Sequence, residues 1–347
     1  MSFAKILDDL QRSRSPVVRR FEQLIAPTTD AGFEKLAQES RLLTRQNFGR
    51  TMRLFAPLYL SNECINNCRY CGFSRDNPIL RVTLDQAQVI AEARHLAAAG
   101  FRQILLVAGE HPKFVSGTYL SDCVRALADD FSSIAIEVGP METAEYEPVV
   151  AAGADSLVVY QETYHRAAYA EMHTSGPKRD FDWRLDCPVR GYDAGFRRIG
   201  IGALFGLAPW REEAIALAAH VEYLLKRCWQ AQISVSLPRL RPAAGGFQPV
   251  FSLGDRELAQ LICALRISFP QVGIVLSTRE RADLRDALVP LGITMMSAGS
   301  HTEPGGYTGQ GRENLHVTVR GRIVAPEFDD GVDRLATGQF EISDERS

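Results

Sequence analysis

Three cysteines occur within eight residues of the sequence and form a C-x3-C-x2-C run. Cys64, Cys68 and Cys71 lie in the stretch SNECINNCRYCGFS, residues 61–74. Thiolates bind soft metals, including zinc, copper(I) and iron–sulfur clusters. A structural zinc needs four ligands at short range, and a ferredoxin supplies a fourth cysteine to each cluster. The sequence offers no fourth ligand nearby, so the motif predicts a 4Fe-4S cluster with one iron left open for a substrate or cofactor.

The remaining cysteines are isolated from one another, and most fall in helical patterns, where a free cysteine behaves as a small buried hydrophobe. The alternative for the motif is a zinc site completed by one of these distant thiols, although structural zinc sites have compact ligand spacing. Seven cysteines without a secretory signal do not indicate a disulfide scaffold. The isolated cysteines are Cys123, Cys187, Cys228 and Cys263.

Composition and charge exclude several classes of partner. The chain has 347 residues, and its 39 basic and 42 acidic side chains give a formal charge of −3. A nucleic-acid-binding protein is expected to carry a basic field, which is missing here. The N-terminus lacks the apolar segment of a secretory signal, and no stretch approaches 18 uninterrupted apolar residues. We therefore expect no nucleic acid or membrane partner, and a cytoplasmic protein with reduced thiols.

Helices and strands around the cysteine motif must hold it in place, and the sequence pattern predicts them. Eight short apolar runs alternate with helical patterns, which is typical of a parallel sheet covered by helices. Eight such units predict an α/β fold of the (β/α)8 TIM barrel class. We expect a helical extension over residues 1–50, the barrel over 51–303 and a C-terminal tail over 304–347 that packs on the barrel. The runs begin at residues 54, 103, 133, 156, 198, 232, 272 and 293.

Polar residues follow most of these strands, directly after their carboxyl ends. In a (β/α)8 barrel these ends share one face, and the loops there form the active site. The cysteines follow the first strand, and we expect the other polar residues to converge with them at one mouth. They are Glu110 after the second strand, Glu142 after the third, Glu162 after the fourth, Arg239 and Arg241 after the sixth, Arg279 after the seventh and Ser297 in the eighth.

The cysteine motif after a first barrel strand resembles that of the radical S-adenosylmethionine (SAM) superfamily. The resemblance implies that the amino and carboxylate groups of SAM chelate the open iron. An electron from the reduced cluster then cleaves SAM to methionine and a 5′-deoxyadenosyl radical. The fourth ligand that the sequence lacks would thus be the cofactor itself.

Further blocks narrow the resemblance. VYQETYH, DFDWRL, SVSLPRLRP, LSTRE and PGGY occur in an order and spacing similar to those of the 2-iminoacetate synthase family, the tyrosine lyases of bacterial thiamine biosynthesis. The similarity runs from about residue 20 to about residue 345. It implies hydrogen abstraction from the amino group of L-tyrosine and cleavage of the Cα–Cβ bond. The products would be 2-iminoacetate (dehydroglycine), which enters the thiamine thiazole, and p-cresol.

Two other functions stay open beside this one. A radical SAM lyase could act on another aromatic amino acid, such as tryptophan, and a non-catalytic iron–sulfur scaffold would bind a cluster without cleaving SAM. The related hydrogenase maturase is disfavoured because no cysteine follows Cys263 to hold a second cluster. The resemblance also implies flavodoxin or ferredoxin as electron donor and thiazole synthase as a partner that receives the product.

Five residues match positions that bind SAM in the family or suit its polar groups. Tyr70, between two cysteines, occupies the position whose backbone meets the adenine. Gly109 and Glu110 match a GGE-like motif, with alanine in place of its first glycine, and would accept hydrogen bonds from the SAM ammonium group. Glu142 can accept two hydrogen bonds from the ribose hydroxyls. Arg184, in DFDWRL, would pair with the SAM carboxylate.

Arginine is the residue expected to hold the substrate carboxylate. Arg279 offers a planar guanidinium that matches a carboxylate bidentately, and Ser297 would hydrogen-bond the same end of the substrate. Arg239 and Arg241 leave the sixth strand together, and alternate strand residues face one side. We expect both to point inward, one toward the substrate and the other into a buried salt bridge.

The block YQETYH supplies two further candidates. Glu162 and Tyr164 are expected near the mouth, where they would order the substrate or handle a proton. A purely structural hydrogen-bond network is the alternative for both residues.

Overall fold

Eight parallel strands close into a barrel in the computed structural model, which describes residues 15–319, 322–325 and 336–342. The strands follow one another around the barrel in chain order, so each pairs with its sequence neighbours and the first pairs with the last. The predicted (β/α)8 barrel is confirmed. Its strands are β1 (Arg53–Ser61), β2 (Gln103–Ala108), β3 (Ser133–Glu137), β4 (Ser156–Glu162), β5 (Arg198–Ala203), β6 (Gln232–Ser236), β7 (Gly273–Leu276) and β8 (Met295–Ser297).

Helices cover the outside of the barrel, and several begin at side-chain caps. Asp85 and Gln88 form a reciprocal capping box, and Ser116 accepts a hydrogen bond from the backbone of Tyr119. The helices are α1 (Pro16–Leu24), α2 (Asp30–Phe48), α3 (Gln86–Ala98), α4 (Gly117–Leu127), α5 (Thr143–Ala151), α6 (Arg166–Met172), α7 (Phe181–Ala194), α8 (Trp210–Arg227), α9 (Asp255–Ser268) and α10 (Ala282–Leu288). None of the helices described is long and apolar enough to cross a membrane.

Side chains alternate between the barrel interior and the layer under the helices, as the strand geometry requires. In β2, Ile104 and Leu106 are buried in the main core beneath the helices. Leu105 and Val107 belong to a separate interior cluster and line the cavities inside the barrel. The strands thus use one face for stability and the other for the site.

The N-terminal helices pack on the outer helical layer. Val18 and Phe21 of α1 are fully buried. The Nε2 group of Gln260 in α9 donates hydrogen bonds of 2.7 Å to the carbonyls of Leu24 and Ala26. The part of the predicted extension over residues 1–14 lies outside the described residues, and the domain limits at 50 and 303 stay predictions.

The mixed segment at 163–196 folds back over the cysteine loop. It contains α6, a short strand His173–Ser175, a single 3-10 turn Pro177–Arg179 and α7. The short strand pairs antiparallel with Asn67–Cys68, so it places this segment directly beside the cysteines.

The C-terminal tail returns to the mouth of the barrel. Short 3-10 turns at Val289–Leu291 and Arg312–Asn314 precede two short strands, Val317–Val319 and Arg322–Val324, which pair antiparallel. Residues 336–342 then cross the mouth and are held by backbone hydrogen bonds to the cysteine loop and neighbouring loops. Residues 320–321, 326–335 and 343–347 of the predicted tail lie outside the described chain.

Candidate active site

The three predicted metal ligands lie on the loop after β1 and line one cavity of about 540 Å³, here called the cysteine cavity. All three thiols are free of disulfides. Gly109, at the end of the neighbouring strand, packs so closely on this loop that a Cβ there would lie 2.3 Å from the Glu63 carbonyl oxygen. Glycine is therefore required where the two segments meet. The cavity is lined by Cys64, Cys68 and Cys71 together with residues of β2 to β4, the segment at 178–184 and the tail.

The thiols influence one another electrostatically. Burial raises the pKa of Cys68 and of Cys71, and Lys178 acts in the opposite direction on both. Cys64 raises the pKa of both thiols, and Cys71 also raises that of Cys68. Metal ligation requires thiolates, so a cationic cluster core would relieve this cost. Soft sulfur donors sharing one cavity fit an iron–sulfur cluster.

Two further observations bear on the metal prediction. Within the ranges that the structure describes, no three His, Cys, Asp or Glu side chains form a site for a single metal ion. A cluster does not require such convergence, because each cysteine binds its own iron. The four remaining cysteines are buried elsewhere, as free thiols: Cys123 in α4, Cys187 in α7, Cys228 after α8 and Cys263 in α9.

A buried ion-pair network forms part of the wall of the cysteine cavity. Glu162 Oε1 accepts from Lys178 Nζ at 2.7 Å and from an Arg184 Nη at 3.4 Å. Burial would raise the pKa of Glu162, but the two cations outweigh burial and hold it below its usual value. Among the described non-glycine residues only Glu162 has a left-handed backbone, with φ 70°. Such strain is concentrated at functional sites.

This network places Glu162 in the wall of the cysteine cavity. Sequence reasoning expected it to order the substrate or handle a proton, with a structural network as the alternative. The structure places it beside Arg184 in the wall of the cysteine cavity. Lys178 was not predicted at all, because it lies in a segment without periodicity. Arg184 also donates a 2.6 Å hydrogen bond from Nε to the Tyr160 carbonyl, so its guanidinium is fixed from two sides.

Glu110 is held beside the cysteine loop. Asn66 Nδ2 donates to Glu110 Oε2 at 2.6 Å and lies 3.8 Å from Cys64 Sγ. A Cβ on Gly139 would lie 2.4 Å from Cγ of Glu110, so a glycine at the end of β3 leaves room for this carboxylate. Glu110 does not cap the next helix, because Ser116 does so. Its proposed contact with the SAM ammonium stays a prediction.

Tyr70 is buried between its flanking cysteines. Its hydroxyl shares a 2.7 Å hydrogen bond with Nε2 of His173, on the short strand that covers the loop. Burial raises the pKa of Tyr70 and lowers that of His173 to about 3, so both groups are neutral. The pair fixes the loop between Cys68 and Cys71, while the contact of its backbone with adenine stays a prediction.

A second cavity of about 810 Å³ lies inside the barrel and is here called the barrel cavity. Arg279 and Ser297 both line it, as the sequence predicted, together with Tyr59 and Tyr160. Ser297 Oγ accepts a 3.2 Å hydrogen bond from the backbone of Thr278. The Arg279 guanidinium lies 3.5 Å from the ring centroid of Phe340 in the tail. A cation, hydroxyls and aromatic rings in one cavity suit an aromatic amino acid.

Arg239 and Arg241 do not point into this cavity. Strand β6 ends at Ser236, so the expected strand alternation does not extend to them. Both guanidiniums bind the buried carboxylate of Glu280, Arg239 at 2.9 Å through Nε and Arg241 at 3.0 Å. Arg239 also pairs with Asp255 at 2.8 Å. Within the described chain both arginines line an outer groove, and neither is placed to bind substrate in the barrel cavity.

Two other predicted residues lie away from the cavities. Glu142 is exposed and forms the N-cap of α5, because β3 ends five residues earlier, at Glu137. Tyr164 is buried, and its hydroxyl shares a 2.8 Å hydrogen bond with Nδ1 of His220 in α8. The structural alternative given for Tyr164 therefore matches its position.

Three residues line both cavities, and sequence reasoning assigned none of them. They are Val107 of β2, Glu137 of β3 and Gln339 of the tail. Glu137 carried a usable signal, because it is the one acid in the strand SIAIE and stands at its carboxyl end. Gln339 carried none, since only tertiary structure brings it to the mouth.

Comparisons with known proteins identify relatives of this chain. A model of the Biotin and Thiamin Synthesis associated domain matches residues 236–347. The 2-iminoacetate synthase of Escherichia coli (strain K12) is 46% identical over 285 residues, 82% of this chain and 76% of that protein. The 2-iminoacetate synthase of Salmonella typhimurium is 44% identical over the same shares of both chains. The solved structure of the FeFe-hydrogenase maturase HydG from Carboxydothermus hydrogenoformans is 37% identical, with a TM-score of 0.81 over 88% of this chain and 72% of that one.

Identity at this level extends over most of both sequences. This chain belongs to the 2-iminoacetate synthase family, within the radical SAM enzymes.

Proposed function

We propose that this protein is a radical SAM lyase that cleaves the Cα–Cβ bond of L-tyrosine to 2-iminoacetate (dehydroglycine) and p-cresol, for thiamine thiazole biosynthesis. The observation that carries the proposal is the adjoining pair of cavities. One is lined by three cysteines and buried ions, the other by Arg279 and aromatic side chains, and they share three wall residues. Membership of the 2-iminoacetate synthase family supports this assignment.

The residues of the cysteine cavity would hold the cofactors. Cys64, Cys68 and Cys71 would bind three irons of a 4Fe-4S cluster, and SAM would occupy the rest of the cavity. When bound, the reduced cluster and SAM supply a 5′-deoxyadenosyl radical. Arg184 offers a fixed guanidinium for a carboxylate, and the strained Glu162 offers a carboxylate for an ammonium or hydroxyl group.

The residues of the barrel cavity would hold the amino acid. Arg279 would bind its carboxylate bidentately and Ser297 would hydrogen-bond the same end. The aromatic and apolar wall excludes water and orients the substrate side chain, which contributes to rate by fixing the reacting atoms in place. The amino group is then directed toward the wall shared with the cysteine cavity.

Two partners are part of the proposal by family membership. Flavodoxin or ferredoxin would deliver the electron to the cluster, and thiazole synthase would receive 2-iminoacetate before water hydrolyses it. Both interactions would take place in the cytoplasm.

The test is anaerobic reconstitution with iron and sulfide, followed by assay with dithionite, SAM and tyrosine. We expect p-cresol and 5′-deoxyadenosine to form together. Tryptophan turnover without p-cresol from tyrosine would support a lyase for another aromatic amino acid. A bound cluster with no 5′-deoxyadenosine would support the non-catalytic scaffold and contradict the proposal.

A further inference from the structure

Glu137 occupies the boundary between the two cavities and is not used by the function proposed above. Its carboxylate ends β3 and faces both enclosed spaces. Within the described chain it accepts no side-chain hydrogen bond and forms no ion pair at contact distance, in contrast to Glu162 and Glu110. A carboxylate in an enclosed site without a direct partner is costly, so the position calls for a cationic ligand.

Charged side chains from several segments of the site act on the carboxylate of Glu137. Burial and then Glu162 raise its pKa, Arg279, Arg184 and Lys178 act in the opposite direction, and the net pKa is about 7. The hydroxyls of Tyr59 and Tyr160 also lie within its electrostatic reach. Because Arg184 and Lys178 are already committed to Glu162, they do not neutralise Glu137 by contact.

The proposed substrate supplies the missing cation. Tyrosine carries an ammonium group beside its carboxylate, and Arg279 would fix that carboxylate within electrostatic reach of Glu137. The amino group must also lose a proton before a hydrogen atom is removed, if a neutral aminyl radical is to form. A base with a pKa near neutrality is suited to this transfer.

We propose that Glu137 binds the α-ammonium group of the amino acid substrate and accepts one proton from it. This inference rests on the proposed function. One N–H bond of the ammonium breaks and one O–H bond forms on the carboxylate, so R–NH3⁺ and –COO⁻ become R–NH2 and –COOH with no change in oxidation state. Arg279 and Glu137 together then select a zwitterionic amino acid.

The proposal is tested by binding, with the cluster oxidised and SAM present but no reductant, so that no turnover occurs. Tyrosine is compared with 3-(4-hydroxyphenyl)propionate, which keeps the phenol and the carboxylate but lacks the amino group. We expect wild-type protein to prefer tyrosine. We expect Glu137→Gln to weaken tyrosine binding at least about tenfold and to leave the analogue unchanged, since a charge-assisted hydrogen bond is lost only with tyrosine. Glu137→Asp should fall between, and Glu147→Gln, on the exposed face of α5, should match wild type.

The pH profile provides a second measurement. For wild type, kcat/KM for tyrosine should rise with pH through an apparent pKa near the value held by Glu137, and Glu137→Gln should lose this step. A merely structural role would not move that step. SAM affinity should be equal in wild type and Glu137→Gln.

Three outcomes separate the two proposals. If Glu137→Gln keeps the preference for tyrosine, or weakens SAM binding instead, the role of Glu137 is wrong and the tyrosine lyase proposal stands. If wild type binds tyrosine through Glu137 but forms no p-cresol, the lyase proposal fails and the ammonium contact stands. If wild type does not distinguish tyrosine from the analogue, the role of Glu137 is wrong, while p-cresol formation still decides the lyase proposal.

Discussion

The hydroxyl of Tyr59 donates a 2.9 Å hydrogen bond to Oε1 of Gln339, which lies 280 positions later in the sequence. The Nε2 group of the same glutamine lies 3.9 Å from Cys71 Sγ, and its carbonyl accepts a 3.0 Å hydrogen bond from Gly72. Burial raises the pKa of Tyr59 well above its usual value, so its hydroxyl stays a donor. One residue of the tail thus joins the barrel cavity to the cysteine loop.

Gln339→Leu should uncouple SAM cleavage from tyrosine cleavage. The substitution keeps the volume but leaves the buried Tyr59 hydroxyl unpaired, which should cost about 1–2 kcal/mol of stability in the cluster-free protein. We expect more 5′-deoxyadenosine per p-cresol than in wild type, because the substrate is held less firmly. Thermal unfolding and product ratios measure the two effects. Gln38→Leu, on the exposed face of α2, is the matched control, and equal product ratios in the two variants would contradict this role.

Arg279→Lys should lower kcat/KM for tyrosine by about 10²-fold. Lysine keeps the charge but loses the bidentate geometry toward a carboxylate and the planar stacking on Phe340, a change worth roughly 2–3 kcal/mol. SAM cleavage without tyrosine should be unchanged, since Arg279 does not line the cysteine cavity as described. Arg281→Lys, two positions later and exposed, is the control. A wild-type KM for tyrosine in Arg279→Lys would rule out the assignment.

Cys68→Ala should abolish cluster retention, whereas Cys263→Ala should not. Cys68 lines the cysteine cavity, while Cys263 is buried in α9. After reconstitution we expect about four irons per chain in wild type and in Cys263→Ala, and far fewer in Cys68→Ala. Iron analysis and the absorbance of the anaerobic protein provide the measurement. Full iron content in Cys68→Ala would show that another residue completes the site.

Glu137→Gln should stabilise the cluster-free protein at high pH. Burial raises the pKa of Glu137 from 4.5 to about 7, so between these values the folded state binds more protons than the unfolded state. Wild-type stability therefore falls as pH rises through this window and stays lower above it. Glutamine does not titrate, so the variant should gain up to roughly 3 kcal/mol near pH 8 and little near pH 5. Urea unfolding at both values measures the gain, and a difference that is the same at both would contradict the shifted pKa.

Sequence alone determined the barrel and its metal motif for physical reasons that are local. Buried parallel strands must be apolar throughout, so eight runs with helices between them identified the architecture. Cys64, Cys68 and Cys71 need only a short loop to share one cavity. Arg279 follows from its place shortly after β7 and Ser297 from its place at the end of β8. These residues lie at or just after the carboxyl ends of strands, and the apolar runs in the sequence locate those ends.

Tertiary structure decided what depends on contacts between distant segments. Strand β3 ends at Glu137 rather than near Glu142. Glu137 therefore lies between the two cavities, whereas Glu142 is the N-cap of α5. Arg239 and Arg241 bind Glu280 because the chain leaves the barrel before reaching them. Gln339 and Lys178 come from segments with no periodicity, so no pattern could locate them. The sequence determined which residues stand at the carboxyl end of each strand. The packing of the loops and the tail over those ends decided which side chains share the two cavities. Those contacts join segments that are distant in the chain, so local propensity does not predict them.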